Sequence, residues 1–184
     1  FEVGSIVVVS KDFFLYHVVA PGRAIRYGVA VGKDELVWKG RATVGRKTEW
    51  PSWRPTPAMI KRKPQQYGKW ADGMPGGPTN PLGARALYLY DAKGNDTSIR
   101  IHGTTEPNSI GRAVSNGCLR MRNEAVMDLY EQVPADHADQ LGPGGELGGE
   151  VDRDGRGGGG RHVPDGDRAA AFARDDEVGR AVVA

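Results

Sequence analysis

The chain has 184 residues, of which 26% are charged, and a formal net charge of +2. That length suits one domain of ordinary size. No apolar run approaches bilayer-spanning length, so no transmembrane segment is expected, and the lone cysteine, Cys118, rules out an intrachain disulfide or a several-cysteine metal site. The charge is unevenly spread. From Pro134 onward the chain carries six Arg, no Lys and 11 acidic residues, about −5, which leaves the body at about +7. A basic body suits an anionic partner. Nucleic acid is not expected, because no basic run is interleaved with aromatics. The segment starting at Phe1 has no charged n-region and no apolar h-region, so it reads as a mature form.

The opening residues predict a β-meander. Ser5 to Val9 is β-branched, Ser10-Lys11-Asp12 breaks it, and Phe13 to Val19 forms the second strand of a hairpin. Pro21-Gly22 turns the chain into a third strand over Ile25 to Val31, and Gly32-Lys33-Asp34 precedes a fourth over Leu36 to Val44. From Gly45 to Gly83 the sequence is rich in Pro and Trp, which predicts a long, functional loop rather than regular sheet, with one helical turn at Met59 to Lys63. Strands resume at Ala86 to Tyr90 and Ser98 to His102. A helix is predicted over Asn123 to Val133, with Asn123 as N-cap and Val126, Leu129, Tyr130 and Val133 on one apolar face. After Pro134 the composition changes. The segment 135–184 is Gly-rich, has Phe172 as its sole aromatic residue and contains no Ile, so it is expected to be disordered and to add no catalytic residue.

The chemistry concentrates in Ile101-His102-Gly103-Thr104 and Ser115-Asn116-Gly117-Cys118-Leu119-Arg120-Met121. A thiol is nucleophilic as thiolate and needs a nearby base or positive field. His102 ends a strand, where an imidazole is held rigidly, and Gly103 permits close backbone approach. Gly117 lets the chain turn so as to present the Cys118 thiol, and it leaves the Gly117 and Cys118 amides open to hold an oxyanion. Arg120 offers a bidentate clamp for a carboxylate. Against this stands the plainer reading, in which Cys118 is a small buried hydrophobe, His102 is structural and Arg120 covers a surface. Trp38, Trp50, Trp53 and Trp70 either form a stacking platform or pack the long loop onto the sheet. His17 is expected to be half-buried on its strand. His137 and His162 lack metal-ligand spacing.

The pattern H-G-T, a spacer, then S-x-G-C-x-R resembles the signature of the YkuD-type L,D-transpeptidases. Asn80 to Leu87 resembles the segment these enzymes carry before the catalytic strand, Ser109-Ile110-Gly111 matches a short motif between His and Cys, and the similarity covers roughly residues 3 to 134. The resemblance implies a mainly β fold, a sandwich or partly closed barrel with a long lid-like loop and one helix after the nucleophile. It implies that residues 1–134 form the catalytic domain, with Cys118 as nucleophile and His102 as general base and then acid. Gly103 and Thr104 would orient the imidazole. Ser115, Asn116 and Gly117 would shape the oxyanion pocket, and Asn116, Thr104 and Arg120 would meet substrate. The implied reaction forms a thioester with a donor stem peptide of peptidoglycan, expels D-alanine, and passes the acyl group to the side-chain amine of a diamino acid or to an outer-membrane protein. No cofactor or metal is implied, and the location would be the periplasm or cell wall. A carboxypeptidase of the same chemistry and a non-catalytic peptidoglycan-binding module are the alternatives. Two departures stand out. Asn116 replaces a His common in the family. The closing strand that the family carries after V-P is expected to be missing, which would leave a sheet edge exposed.

Overall fold

The computed structural model describes residues 1–134 and 180–183. The β-branched run at the start makes β1 (Ile6–Val9), and a single 3-10 turn ends on Phe13 in the left-handed region, at φ 59°. The chain then returns as β2 (Phe14–Ala20) and β3 (Arg23–Gly28), both antiparallel, with Ile6 opposite His17 and His17 opposite Ile25. Two-residue β4 (Val31–Gly32) follows. β5 (Gly40–Glu49) starts four residues later than the expected strand and runs five residues further. Its polar second half, Arg46 to Glu49, pairs with β6 (Arg85–Tyr90). Lys47 donates from Nζ to the carbonyls of Tyr130 and Val133, at 2.5 and 2.7 Å, and Arg46 lies 3.8 Å over the Tyr88 ring. These long side chains find acceptors and ring faces, so the segment is tolerated in the sheet.

Between β5 and β6 the long loop carries two short helices, α1 (Pro57–Arg62) and α2 (Pro64–Tyr67). Thr56 caps α1, accepting from the Met59 amide at 3.2 Å, and Pro57 supplies the fixed φ of a first turn. β7 (Asp96–His102), β8 (Ala113–Ser115) and β9 (Leu119–Arg120) come next, and α3 (Asn123–Gln132) follows. Val126 and Leu129 of α3 are fully buried against Leu87, Leu89 and Ile101. Burial of each such side chain stabilises the fold by about 1.5–3 kcal/mol.

The fold is mainly β, as expected. The strands form an open eight-stranded sheet in the order β3-β2-β1-β10-β5-β6-β7-β9, with β4 and β8 as a separate pair. The ends of the large sheet approach where Ala30 and Arg120 exchange both backbone hydrogen bonds, at 2.9 and 3.0 Å, without closing a barrel. The missing closing strand is a correction. β10 (Arg180–Val183) sits inside the sheet, antiparallel to β1 (Ile6 opposite Val183) and parallel to β5 (Ala181 opposite Gly40). No exposed edge is therefore left between β1 and β5. The strand was illegible because its sequence, Arg-Ala-Val-Val, is short and lies far beyond the expected position. The remainder of the Gly-rich segment, including His137 and His162, lies outside the described residues.

Candidate active site

Strand register places the catalytic candidates. β7 and β9 run parallel, with Ile101 beside Leu119 and His102 beside Arg120. Ile101 and Leu119 point into the core. Alternation then sends His102, Arg100, Arg120 and the adjoining Cys118 to the other face of the sheet. His102 is only 4% exposed, and its Nδ1 lies 2.6 Å from the Gly103 carbonyl oxygen. A carbonyl only accepts, so Nδ1 carries the proton and Nε2 keeps its lone pair for use as a base. Burial pushes the imidazole pKa down from 6.5 to about 4, assisted by the Arg120 and Arg100 guanidinium groups and opposed by the Gly103 and Leu82 backbone.

Cys118 is partly exposed, and burial of its sulfur pushes the thiol pKa up, against the Arg100 backbone amide and the Arg100 and Arg120 charges. Both shifts favour the uncharged forms, thiol and imidazole. The thiol's hydrogen bond runs to the Ser98 carbonyl, at 3.8 Å, rather than to the imidazole. Ser98 is itself unusual. Its φ is +62°, and it sits in a bulge where β7 spends more residues than β6 between the Tyr88–Arg100 and Tyr90–Asp96 pairs. Left-handed backbone on a non-glycine residue beside a reactive group is the kind of strain that marks functional sites. Asp96 supports the bulge, accepting from the Ser98 amide at 2.7 Å and gripping Arg100 at 2.6 and 2.7 Å. The sequence reading missed Asp96, Ser98 and Arg100, since nothing local marks a bulge.

The turn before Cys118 is built by Ser115. Its Oγ accepts from the Gly117 amide at 3.1 Å and donates to the Cys118 carbonyl at 2.6 Å. The Gly117 amide is thus committed, which corrects its expected freedom to hold an oxyanion. The Cys118 amide is the other backbone donor at the nucleophile. Gly117 has φ +116°, and a Cβ there would meet Ile99 at 3.3 Å. Asn116 is exposed and borders an open cleft of about 500 Å³ lined also by Glu35, Leu36, Trp38, Lys39 and Ile99. Thr104 is buried, and its hydroxyl accepts from the Glu106 amide at 3.0 Å. Arg120 pairs with Glu106 at 2.9 Å.

Asn123 is not the helix cap. Arg122 occupies that position, and the Asn123 Oδ1 instead accepts from the amides of Ala84 and Thr104, at 3.1 and 3.2 Å. It ties the entry of β6 to the residues after His102. The tryptophans do not form one platform. Trp38 lines the cleft, Trp53 meets Tyr67 edge-on, Trp70 lies near Lys69, and Trp50 is exposed. Among the described residues no three His, Cys, Asp or Glu side chains converge to hold a metal, and no helix is long and apolar enough to cross a membrane.

His17, expected to be half-buried, is in fact buried, with Nδ1 lacking a partner. Burial lowers its pKa too, against the Gln132 side chain and the Asp128 carboxylate. Both depressed histidines make the fold acid-sensitive. Their stabilising contribution is fully present above 6.5 and is lost as pH falls through the folded values, because the unfolded chain takes up protons first. For His102 the loss approaches roughly 3 kcal/mol once pH falls below about 4. Urea unfolding at pH 7.5 and pH 4.5 should show the lower midpoint at pH 4.5, and His102→Gln should flatten the difference.

The fold is mainly β, and His102 and Cys118 stand on neighbouring parallel strands, β7 and the approach to β9. The YkuD family model, described as the L,D-transpeptidase catalytic domain, matches residues 4–168, and the chain belongs to that family. The match extends past the domain boundary expected at residue 134. Similar proteins include YqjB of Bacillus subtilis (strain 168), named for L,D-transpeptidase activity, at 42% identity over 59% of this chain and 53% of that protein. Another is the "Probable L,D-transpeptidase ErfK/SrfK" of Salmonella typhimurium, at 34% identity over 71% of this chain and 41% of that protein. The chain spans about half the length of the first curated relatives it matches, 48% and 53%. A crystal structure from Brucella melitensis, named a probable carnitine operon oxidoreductase, is 50% identical over 77% of this chain and 86% of that chain, with a TM-score of 0.53. The oxidoreductase name is a statement about that protein; the shared feature is the fold.

Proposed function

We propose that this chain is a cysteine-dependent L,D-transpeptidase acting on peptidoglycan stem peptides outside the cytoplasmic membrane. The observation that supports it most is the β7–β9 register, which with strand alternation brings His102, Cys118 and Arg120 to one face. In this reading the thiol leaves the Ser98 carbonyl, gives its proton to Nε2 of His102, and sulfur attacks the amide carbonyl before the terminal D-alanine. The Cys118 amide takes part of the developing oxyanion charge. The imidazolium returns the proton to the departing D-alanine amine, leaving a thioester. The side-chain amine of a diamino acid on a second stem, or an amine of an outer-membrane protein, attacks the thioester. Its proton passes to His102, the amide forms and the thiol is restored. Ser115 and Gly117 shape the nucleophile turn, Gly103 and Thr104 hold the imidazole and its loop, and Asn116 faces substrate from the cleft. No cofactor enters this sequence.

Incubation of the chain with a tetrapeptide donor, with and without a diamino-acid amine, tests the reading. Release of D-alanine together with a new amide-linked product supports the transferase. Release with hydrolysis alone, even at high amine concentration, would make the chain a carboxypeptidase. No release at all from folded protein would leave a binding module.

Arg120 meets a stem-peptide carboxylate in this reading. Arg120→Lys, which keeps the charge but loses the planar fork, should raise KM for the donor about tenfold with a smaller effect on kcat. Unchanged KM and kcat would remove Arg120 from the binding site.

A further inference from the structure

We propose that Glu106 is a built-in competitor for the Arg120 guanidinium. In the free protein it holds the place that a donor carboxylate takes over, and so sets how strongly the site favours carboxylate-bearing donors. The inference rests on the role given to Arg120 under Proposed function.

The two partners differ in setting. Arg120 lies on β9 beside His102, with its side chain 23% exposed, while the Glu106 side chain is 70% exposed. Glu106 engages the guanidinium through one contact, Nη1 to Oε2 at 2.9 Å. A carboxylate that engages two guanidinium nitrogens is the stronger partner, and a displaced glutamate returns to water at little cost. The loop does not need this ion pair to keep its shape. The Glu106 amide donates to the Thr104 hydroxyl at 3.0 Å, and its carbonyl accepts from the Ser109 hydroxyl and amide at 2.7 and 2.9 Å. The backbone of Glu106 is thereby fixed while its side chain is free to change partners. Exchange of one carboxylate for another also preserves the charge beside the reacting pair. The Arg120 charge acts on both Cys118 and His102, and it stays compensated in the free and the loaded states.

The test compares donor KM for the wild type and Glu106→Gln, using a tetrapeptide with all carboxylates free and the same peptide amidated at one carboxylate at a time. Glu106→Gln should lower KM for the free donor about two- to fivefold, the range of a single exposed ion pair. One amidated donor should lose that gain, which identifies the carboxylate that Arg120 receives. In an Arg120→Gln background, Glu106→Gln should have no further effect. A structural brace would behave differently: Glu106→Gln and Glu106→Ala would weaken all donors alike, in KM and kcat together, and that result would overturn the proposal. Equal KM for wild type and Glu106→Gln, in a protein that turns over the donor and depends on Arg120, would also overturn it while leaving the transpeptidase reading intact. A folded wild type that neither binds nor turns over any donor would overturn both.

Discussion

Cys118→Ala should abolish donor turnover, and Cys118→Ser should come within a few-fold of the same result. A serine hydroxyl is far harder to ionise than a thiol, and the thiol here is already held above its ordinary pKa by burial. His102→Ala should lower kcat/KM by on the order of a hundredfold or more, because the resting thiol then has no positioned acceptor for its proton and the leaving amine no donor. The double variant should be hardly worse than Cys118→Ala alone, since neither group works without the other. His17→Ala serves as the control. It is buried on β2, whose neighbours in the sheet are β1 and β3 rather than β7 or β9, so its effect should appear in stability and not in the chemical step. Wild-type turnover in His102→Ala together with loss of turnover in folded His17→Ala would mean that the base is misassigned.

The second large effect concerns the junction that holds His102. Gly83 has φ +66°, and a Cβ there would fall 2.3 Å from the Asn123 Oδ1 and 2.6 Å from the Gly103 carbonyl carbon. A Cβ on Gly103 would fall 2.2 Å from the same Oδ1. Gly83→Ala drives a Cβ into the backbone after His102 and should cost about 3–5 kcal/mol, whereas Gly103→Ala displaces the Asn123 side chain from the two amides it serves and should cost about 1–3 kcal/mol. Gly94→Ala is the matched control. It also has positive φ, +79°, but a Cβ there meets nothing within 4 Å, so it should cost about 1–2 kcal/mol of backbone strain. Asn123→Ala should cost about 1–3 kcal/mol by orphaning the Ala84 and Thr104 amides. Because Asn123 is also the nearest obstacle to a Gly103 Cβ, Gly103→Ala with Asn123→Ala should be less destabilising than the sum of the singles. Chemical denaturation of the set would measure this, and strict additivity would show that the junction is not a unit.

Much of the fold was legible because period and composition agreed: β1 from a β-branched run, β2 from the apolar and aromatic run after the Ser10-Lys11-Asp12 break, β6 from a short apolar run, α3 from its apolar stripe. The misplaced start of β5 has a physical reason. Leu36-Val37-Trp38 looks like strand sequence, yet these residues line the cleft, and their apolar character serves a surface. The polar end of β5 looked like loop because its partners, Tyr88, Tyr130 and the end of α3, lie far away in sequence. Asn123 shows the same limit. One short polar side chain can cap a helix or tie two distant segments, and local sequence does not distinguish them. Cys118, His102 and Arg120 stood out in the sequence through the resemblance of their motifs to a family signature, since residue types alone left the plainer structural reading open. The supports around them, Ser98 with its left-handed backbone, Asp96 and Glu106, depend on a bulge and a loop that only the three-dimensional arrangement reveals.

The most direct measurement is intact-mass spectrometry of the wild-type chain after incubation with a carbapenem, followed by digestion to locate any adduct. An activated thiol in an acyl-accepting pocket predicts a single acyl adduct on the peptide that contains Cys118, absent in Cys118→Ala and slow to form in His102→Ala. A folded protein that gains no mass, or gains it on a residue other than Cys118, would contradict the assignment of this site.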